Sequence, residues 1–217
     1  MSAPLPVASD SSRERSWYIA GRWQEYEGEA RSNLLRVIGI GAFYAIELIN
    51  YHGLNLGFLE LPKQQDITPA FHQAVTALAV AWTMLALAIH LCLTRQVFPA
   101  ALKFVSTAAD LVFLTTILML ADGPRSPLVV GYFLVIALSG LRFNLPLVRC
   151  ATVGAMVGYL VVCGYAWWNP ERGLRVPRYH QVMMLIALAL AGIVLGQIIR
   201  RVRALADDYL RRMSAVS

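Results

Sequence analysis

Charge is what this chain has least of. Asp, Glu, Lys and Arg make up 15% of its 217 residues, against about 25% in an ordinary soluble domain. So sparse a set cannot coat a soluble surface, and the 58% of hydrophobic residues must meet something other than water. Cysteine is scarce too. There are three, with no C-x-x-C, which excludes a disulfide framework and a thiolate zinc site. There is no H-E-x-x-H and no phosphate-cradling glycine loop, so the familiar routes to an enzyme are missing and a non-enzymatic protein is expected. The first 33 residues are polar and lack the apolar core of a secretory signal peptide.

What the chain has instead is six apolar runs, at 34–51, 70–93, 99–121, 127–141, 147–168 and 179–199. A hydrocarbon layer of about 30 Å takes roughly 20 residues of helix, and backbone facing lipid must satisfy its own hydrogen bonds. The runs are continuous rather than alternating with period two, so helices are expected and a β-barrel is not. The predicted fold is all-α: a polytopic six-transmembrane-helix bundle in which the fourth span is shortest. It divides into a polar segment at 1–33, a membrane domain at 34–199 and a helical extension at 200–217.

The net charge of +6 invites a nucleic-acid partner, but its distribution excludes one. Fourteen of the 19 basic residues fall on one side of the expected spans, among them Arg31, Arg36, Arg95, Lys103, Arg142, Arg149, Arg200 and Arg203. Lys63, Arg125, Arg172, Arg175 and Arg178 fall on the other. This is the positive-inside bias. With an even span count it predicts a multi-pass protein of a bacterial inner membrane, with both termini cytoplasmic. Cys92 and Cys150 then lie near the inner ends of spans two and five, where thiols stay reduced.

Residues 1–16 are rich in Ser and Pro and are expected to be disordered. Trp17, Tyr18, Trp23 and Tyr26 follow, interleaved with charges, a pattern that suits a helix lying at the headgroup layer. Span five carries Gly154-Ala-Met-Val-Gly158 and span six Gly192-Ile-Val-Leu-Gly196. Such small-residue faces let helix backbones approach, either inside one bundle or across a homodimer. After span six, Ile198, Val202, Leu205 and Tyr209 step by four, three and four, a short seam that carries a helix out of the membrane.

Four groups could carry chemistry. His52, His72 and His180 are expected at one outer level, and Glu47 lies in span one about a turn below His52. An intramembrane carboxylate is costly unless paired. Three imidazoles and a carboxylate suit a transition metal, and two imidazoles suit a haem b. The plainer reading is polar residues collected at helix ends. Asp110 lies within span three and needs a partner, with Lys103, Thr107, Thr115, Thr116 and Arg142 as the candidates. Ala137-Leu138-Ser139-Gly140 is similar to the nucleophile motif of rhomboid proteases. However, Ser139 falls at the inner end of span four and His180 at the outer end of span six, beyond hydrogen-bond reach.

The stretch from Lys103 to Leu160, and within it Asp110-Leu-Val-Phe-Leu-Thr-Thr-Ile-Leu-Met-Leu-Ala-Asp122-Gly-Pro-Arg-Ser-Pro127-Leu128, resembles the six-helix input domain of RegB/PrrB-type redox sensor histidine kinases. Similar anchors precede some bacterial adenylate cyclases. In those kinases the loop after span three reads G-G-x-x-N-P-F. Gly123 and Pro127 match it, while Asp122, Ser126 and Leu128 stand where that pattern has Gly, Asn and Phe. The resemblance implies quinone or redox sensing at a loop made of Asp122, Gly123, Arg125, Ser126 and Pro127. A kinase would continue after span six into catalytic domains. Here the expectation is a sensor-like module that perceives a lipophilic ligand, quinone or redox state. It would signal through 200–213 to a separate cytoplasmic kinase or cyclase. The rival expectation is a haem- or metal-binding subunit that works with a respiratory partner.

Overall fold

The computed structural model describes residues 10–55, 60–61, 68–95, 99 and 101–216, with side chains at 26–53, 68–95, 99, 101–206, 208 and 212. Its elements in chain order are α1 (Asp10–His52), strands β1 (Leu54–Asn55) and β2 (Glu60–Leu61), α2 (Pro69–Thr94), α3 (Leu102–Leu120), 3-10 turns at Gly123–Arg125 and Pro127–Val130, α4 (Gly131–Gly140), α5 (Leu145–Trp168), a 3-10 turn at Pro170–Arg172, and α6 (Arg178–Val216). The strands pair antiparallel, Leu54 with Leu61 and Asn55 with Glu60.

Local chemistry sets the helix starts. Thr68 accepts a hydrogen bond from the Phe71 amide at 3.2 Å, and Pro69 opens α2. Asn144 accepts from the Leu147 amide at 3.1 Å, with Pro146 in the first turn of α5. A polar oxygen before the first turn satisfies an amide the helix cannot, and proline there loses nothing.

Five helices are long and apolar enough to cross a membrane: Tyr26–His52, Pro69–Thr94, Leu102–Leu120, Leu145–Trp168 and Arg178–Ala206. Their exteriors are apolar, with Ile38, Ile46, Val80, Met84, Val112, Val157, Ile186 and Val194 all exposed. In water such a surface would aggregate, whereas lipid accepts it. This is a multi-pass membrane protein. The expected fourth span is shorter. Its α4 has 10 residues, about 15 Å, and the preceding 3-10 turn extends it. Most of α4 is buried, packed against α5 and α6.

α5 is the central helix and touches α3, α4 and α6. A Cβ on Gly154 would meet the Leu111 side chain at 2.5 Å, and one on Gly158 would meet Thr115 Oγ1 and the Tyr132 hydroxyl at 2.8 and 2.9 Å. A Cβ on Gly192 would clash with the Thr152 side chain. Both G-x-x-x-G faces are therefore used inside the bundle. With no hydrophobic force between helices in lipid, this close packing and interhelical hydrogen bonds must hold them.

Two expected boundaries have no backbone counterpart. α1 runs unbroken through residue 33, so the Trp17–Tyr26 stretch continues the first span rather than forming a separate helix. α6 runs on past Ile199 for 39 residues in all, about 58 Å. Residues 1–9 and most of the 53–69 connection lie outside the described residues.

Candidate functional site

The bundle has two ends. We call basal the end where α1 carries Glu29 and the α4–α5 turn carries Arg142, and apical the end where α1 meets α2 at Glu47 and His72. Polar side chains collect inside the basal half, which inverts the usual arrangement of a soluble protein. Glu29, Ser32, Asn33, Arg36, Lys103, Ser106, Thr107, Asp110 and Arg142 are all buried.

They form two ion-paired centres. In the first, Arg36 Nε donates to Asp110 Oδ1 and Nη2 to Oδ2, each at 2.7 Å. Arg36 Nη1 donates to Asn33 Oδ1 at 2.7 Å, and Asn33 Nδ2 donates to the Ala86 carbonyl at 3.1 Å. Trp82 Nε1 donates to Asp110 Oδ1 at 2.8 Å. This bidentate pair thus ties α1, α2 and α3. In the second, Arg142 Nη2 donates to Glu29 Oε1 at 2.8 Å, and Nη1 donates to the Lys103 carbonyl and Thr107 Oγ1 at 2.9 and 2.6 Å. Arg142 Nε lies 2.7 Å from Glu29 Oε2, an ion contact rather than an aligned hydrogen bond. Burial pushes the Arg142 guanidinium down from its ordinary value, and the Glu29 charge holds it up. Gly28 permits the pairing, since a Cβ there would meet the Leu141 carbonyl oxygen at 2.9 Å.

The sequence singled out Asp110 but not its partners. Arg142 goes to Glu29, Thr115 to the Tyr132 hydroxyl at 2.9 Å, and Thr116 to the Val112 carbonyl at 2.8 Å. Arg36 and Arg142 looked like headgroup-facing topology signals, yet both are buried. Two carboxylates buried against two arginines were the available signal, though Glu29 lay in the polar segment and so outside the expected membrane domain.

At the apical end, His72 Nδ1 lies 2.9 and 3.0 Å from the Glu47 carboxylate oxygens. The His72 ring stacks on Tyr51 at 4.0 Å between centroids, and His52 stands 6.1 Å from His72. His180 is not with them; it is exposed and stacks on Tyr179. Among the described residues no three His, Cys, Asp or Glu side chains are placed to hold a metal ion. The expected loop is held as a structural turn. Gly123 takes a φ of +58°, where a side chain would be strained. Ser126 Oγ accepts from the Leu128 amide at 3.2 Å, and Arg125 reaches the Gly173 carbonyl at 2.9 Å. Asp122 and Pro127 are exposed at its edge.

Between the two ends runs a groove that sequence reasoning did not anticipate. Its apical chamber, a cavity of about 70 Å³ partly open to the outside, is lined by Ile40, Phe43, Tyr44, Val75, Trp82 and Ile117, with Glu47 the only charged group. Ala121 and Leu128 bring the expected loop to its rim. A basal chamber of about 30 Å³ shares Ile40, Phe43, Trp82 and Leu114 and ends on Arg36 and Asp110. From Asp110 to Ala121 along α3 is about 16 Å. Apolar walls with a few polar groups at the ends suit an elongated lipophilic molecule that carries a hydrogen-bonding head.

At the basal end the α4–α5 turn is shared. Arg142 reaches α1 from it, and the Phe143 carbonyl accepts from Arg203 of α6. Phe143 is the one non-glycine residue at positive φ, 47°, among the described residues. Known protein families, characterised proteins and solved structures give no match to this chain.

Proposed function

We propose that this chain is a six-crossing membrane sensor module with both termini cytoplasmic. It takes a lipophilic ligand of quinone type into the groove between α1, α2 and α3 and passes its state to a separate protein through α6. The resemblance to RegB/PrrB-type input domains points the same way. The groove carries this reading: an apolar slot that ends on paired, hydrogen-bonding groups at both ends. A head group at Glu47 and His72 or at Trp82 and Asp110 exchanges hydrogen bonds with residues that also hold the helices together. Binding then favours one helix packing over another through its different affinity for the two. The route outward runs from Asp110 and Arg36 on α3 and α1, through Glu29 and Arg142, to the α4–α5 turn and Arg203. α4 and its 3-10 turn, which link the apical loop to this basal turn, support a sixth crossing, and the count of basic residues supports the orientation.

Trp82 supplies the test, since its indole lines both chambers. Short-chain ubiquinone titrated into the detergent-purified protein should quench tryptophan emission saturably, and W82F should remove most of that saturable component. Quenching that is linear in the wild type, or unchanged in W82F, sinks the groove as the site. The visible spectrum separates the haem reading. A Soret band that shifts on reduction and is lost in H52A or H72A would replace this proposal with a haem centre at the apical end.

A further inference from the structure

A second groove lies on the outside of the bundle, between α5 and α6, away from the ligand slot. Its cavity volume is about 250 Å³, open along one side, with Val148, Val153, Ala189 and Ile193 among its apolar walls. Val153 and Ile193 are 60% and 57% exposed, so the groove belongs to the lipid-facing surface. Its basal mouth is set between Arg149 and Arg200. Arg200 is the first charge after the apolar stretch of α6, and Arg149 sits in the second turn of α5. Both are exposed, and neither has an ion-pair partner among the described residues. Two unneutralised guanidiniums at the level where the apolar surface ends, above an acyl-sized trough, match one occupant in charge and shape.

We propose that this groove binds an anionic glycerophospholipid, with its phosphodiester between Arg149 and Arg200 and an acyl chain along α5 and α6. Guanidinium groups match phosphate oxygens in planar, two-point geometry, and basic clefts between membrane helices recognise anionic headgroups by this charge. The lipid would brace α6 just before it leaves the bundle. This inference rests on the membrane location alone, so it stands or falls separately from the sensor reading.

The experiment is native mass spectrometry of the full chain released from nanodiscs of equal phosphatidylglycerol and phosphatidylcholine. The wild type should retain phosphatidylglycerol in preference by roughly tenfold. R149Q/R200Q should lose that preference, and either single variant serves if the double does not fold. I193W, which fills the trough and spares both arginines, should reduce the lipid retained. Equal retention of the two lipids by the wild type would overturn the proposal, as would an unchanged preference in R149Q/R200Q. Displacement of the lipid by inorganic phosphate, with I193W behaving as wild type, would show a bare anion patch and overturn it too.

Discussion

Asp110 and Arg36 show why a buried pair differs from its parts. Both side chains are almost fully buried, so losing one partner leaves a charge with neither water nor counter-ion. D110A should cost about 3–5 kcal/mol, read as a lower unfolding midpoint in detergent. R36M/D110L removes both charges and should recover most of that loss. A double variant as unstable as D110A would mean that neighbours beyond this pair hold the carboxylate. W82F replaces the indole by a smaller phenyl ring with no N–H donor and should cost about 1–3 kcal/mol in the same assay. Gly28 is equally exacting. A methyl there meets backbone at the α4–α5 turn, so G28A should cost about 1–3 kcal/mol by overpacking. A midpoint equal to wild type would show that α1 can move away from the turn at no cost.

The helices divide the work. α5 is structural, with Gly158 and its three alanines buried against three neighbours. α1, α2 and α3 enclose the groove, with α4 closing its basal chamber, and α6 reaches beyond the bundle. Ile198, Val202 and Leu205 stay 52%, 43% and 70% exposed, so the seam read from sequence is a free apolar edge rather than a packed one. R203A removes a contact at the surface and should change stability by no more than about 0.5 kcal/mol. It should also abolish any ubiquinone-dependent change in the mobility of a spin label at Leu205. A label response identical to wild type would mean that the state reaches α6 by another route. Most of these elements were legible beforehand, because continuous apolar runs and Gly/Pro turns are local signals. The continuity of α1 through residue 33 was not. Its first half is polar, and its polar residues looked solvated until Glu29, Ser32 and Asn33 proved to be buried against other helices.

The molecule as a whole is turned inside out relative to a soluble protein, with lipid-compatible side chains outward and ion pairs inward. The six crossings proposed above would put both ends on one side. Reporter fusions before residue 10 and after residue 213 should therefore both be active only as cytoplasmic reporters. Activity on opposite sides would leave α4 buried within one leaflet and make the crossings five. The apolar runs alone determined that the protein lives in a bilayer, since composition and run length suffice for that. They also showed that Asp110 needs a partner, because an isolated charge in hydrocarbon is untenable. Which residue answers Asp110, that Glu47 takes His72 while His180 stands apart, and that a groove opens between them were decided by tertiary structure. Residues 74 apart in sequence, such as Arg36 and Asp110, meet only through the angles and depths at which helices pack, and no local pattern encodes those.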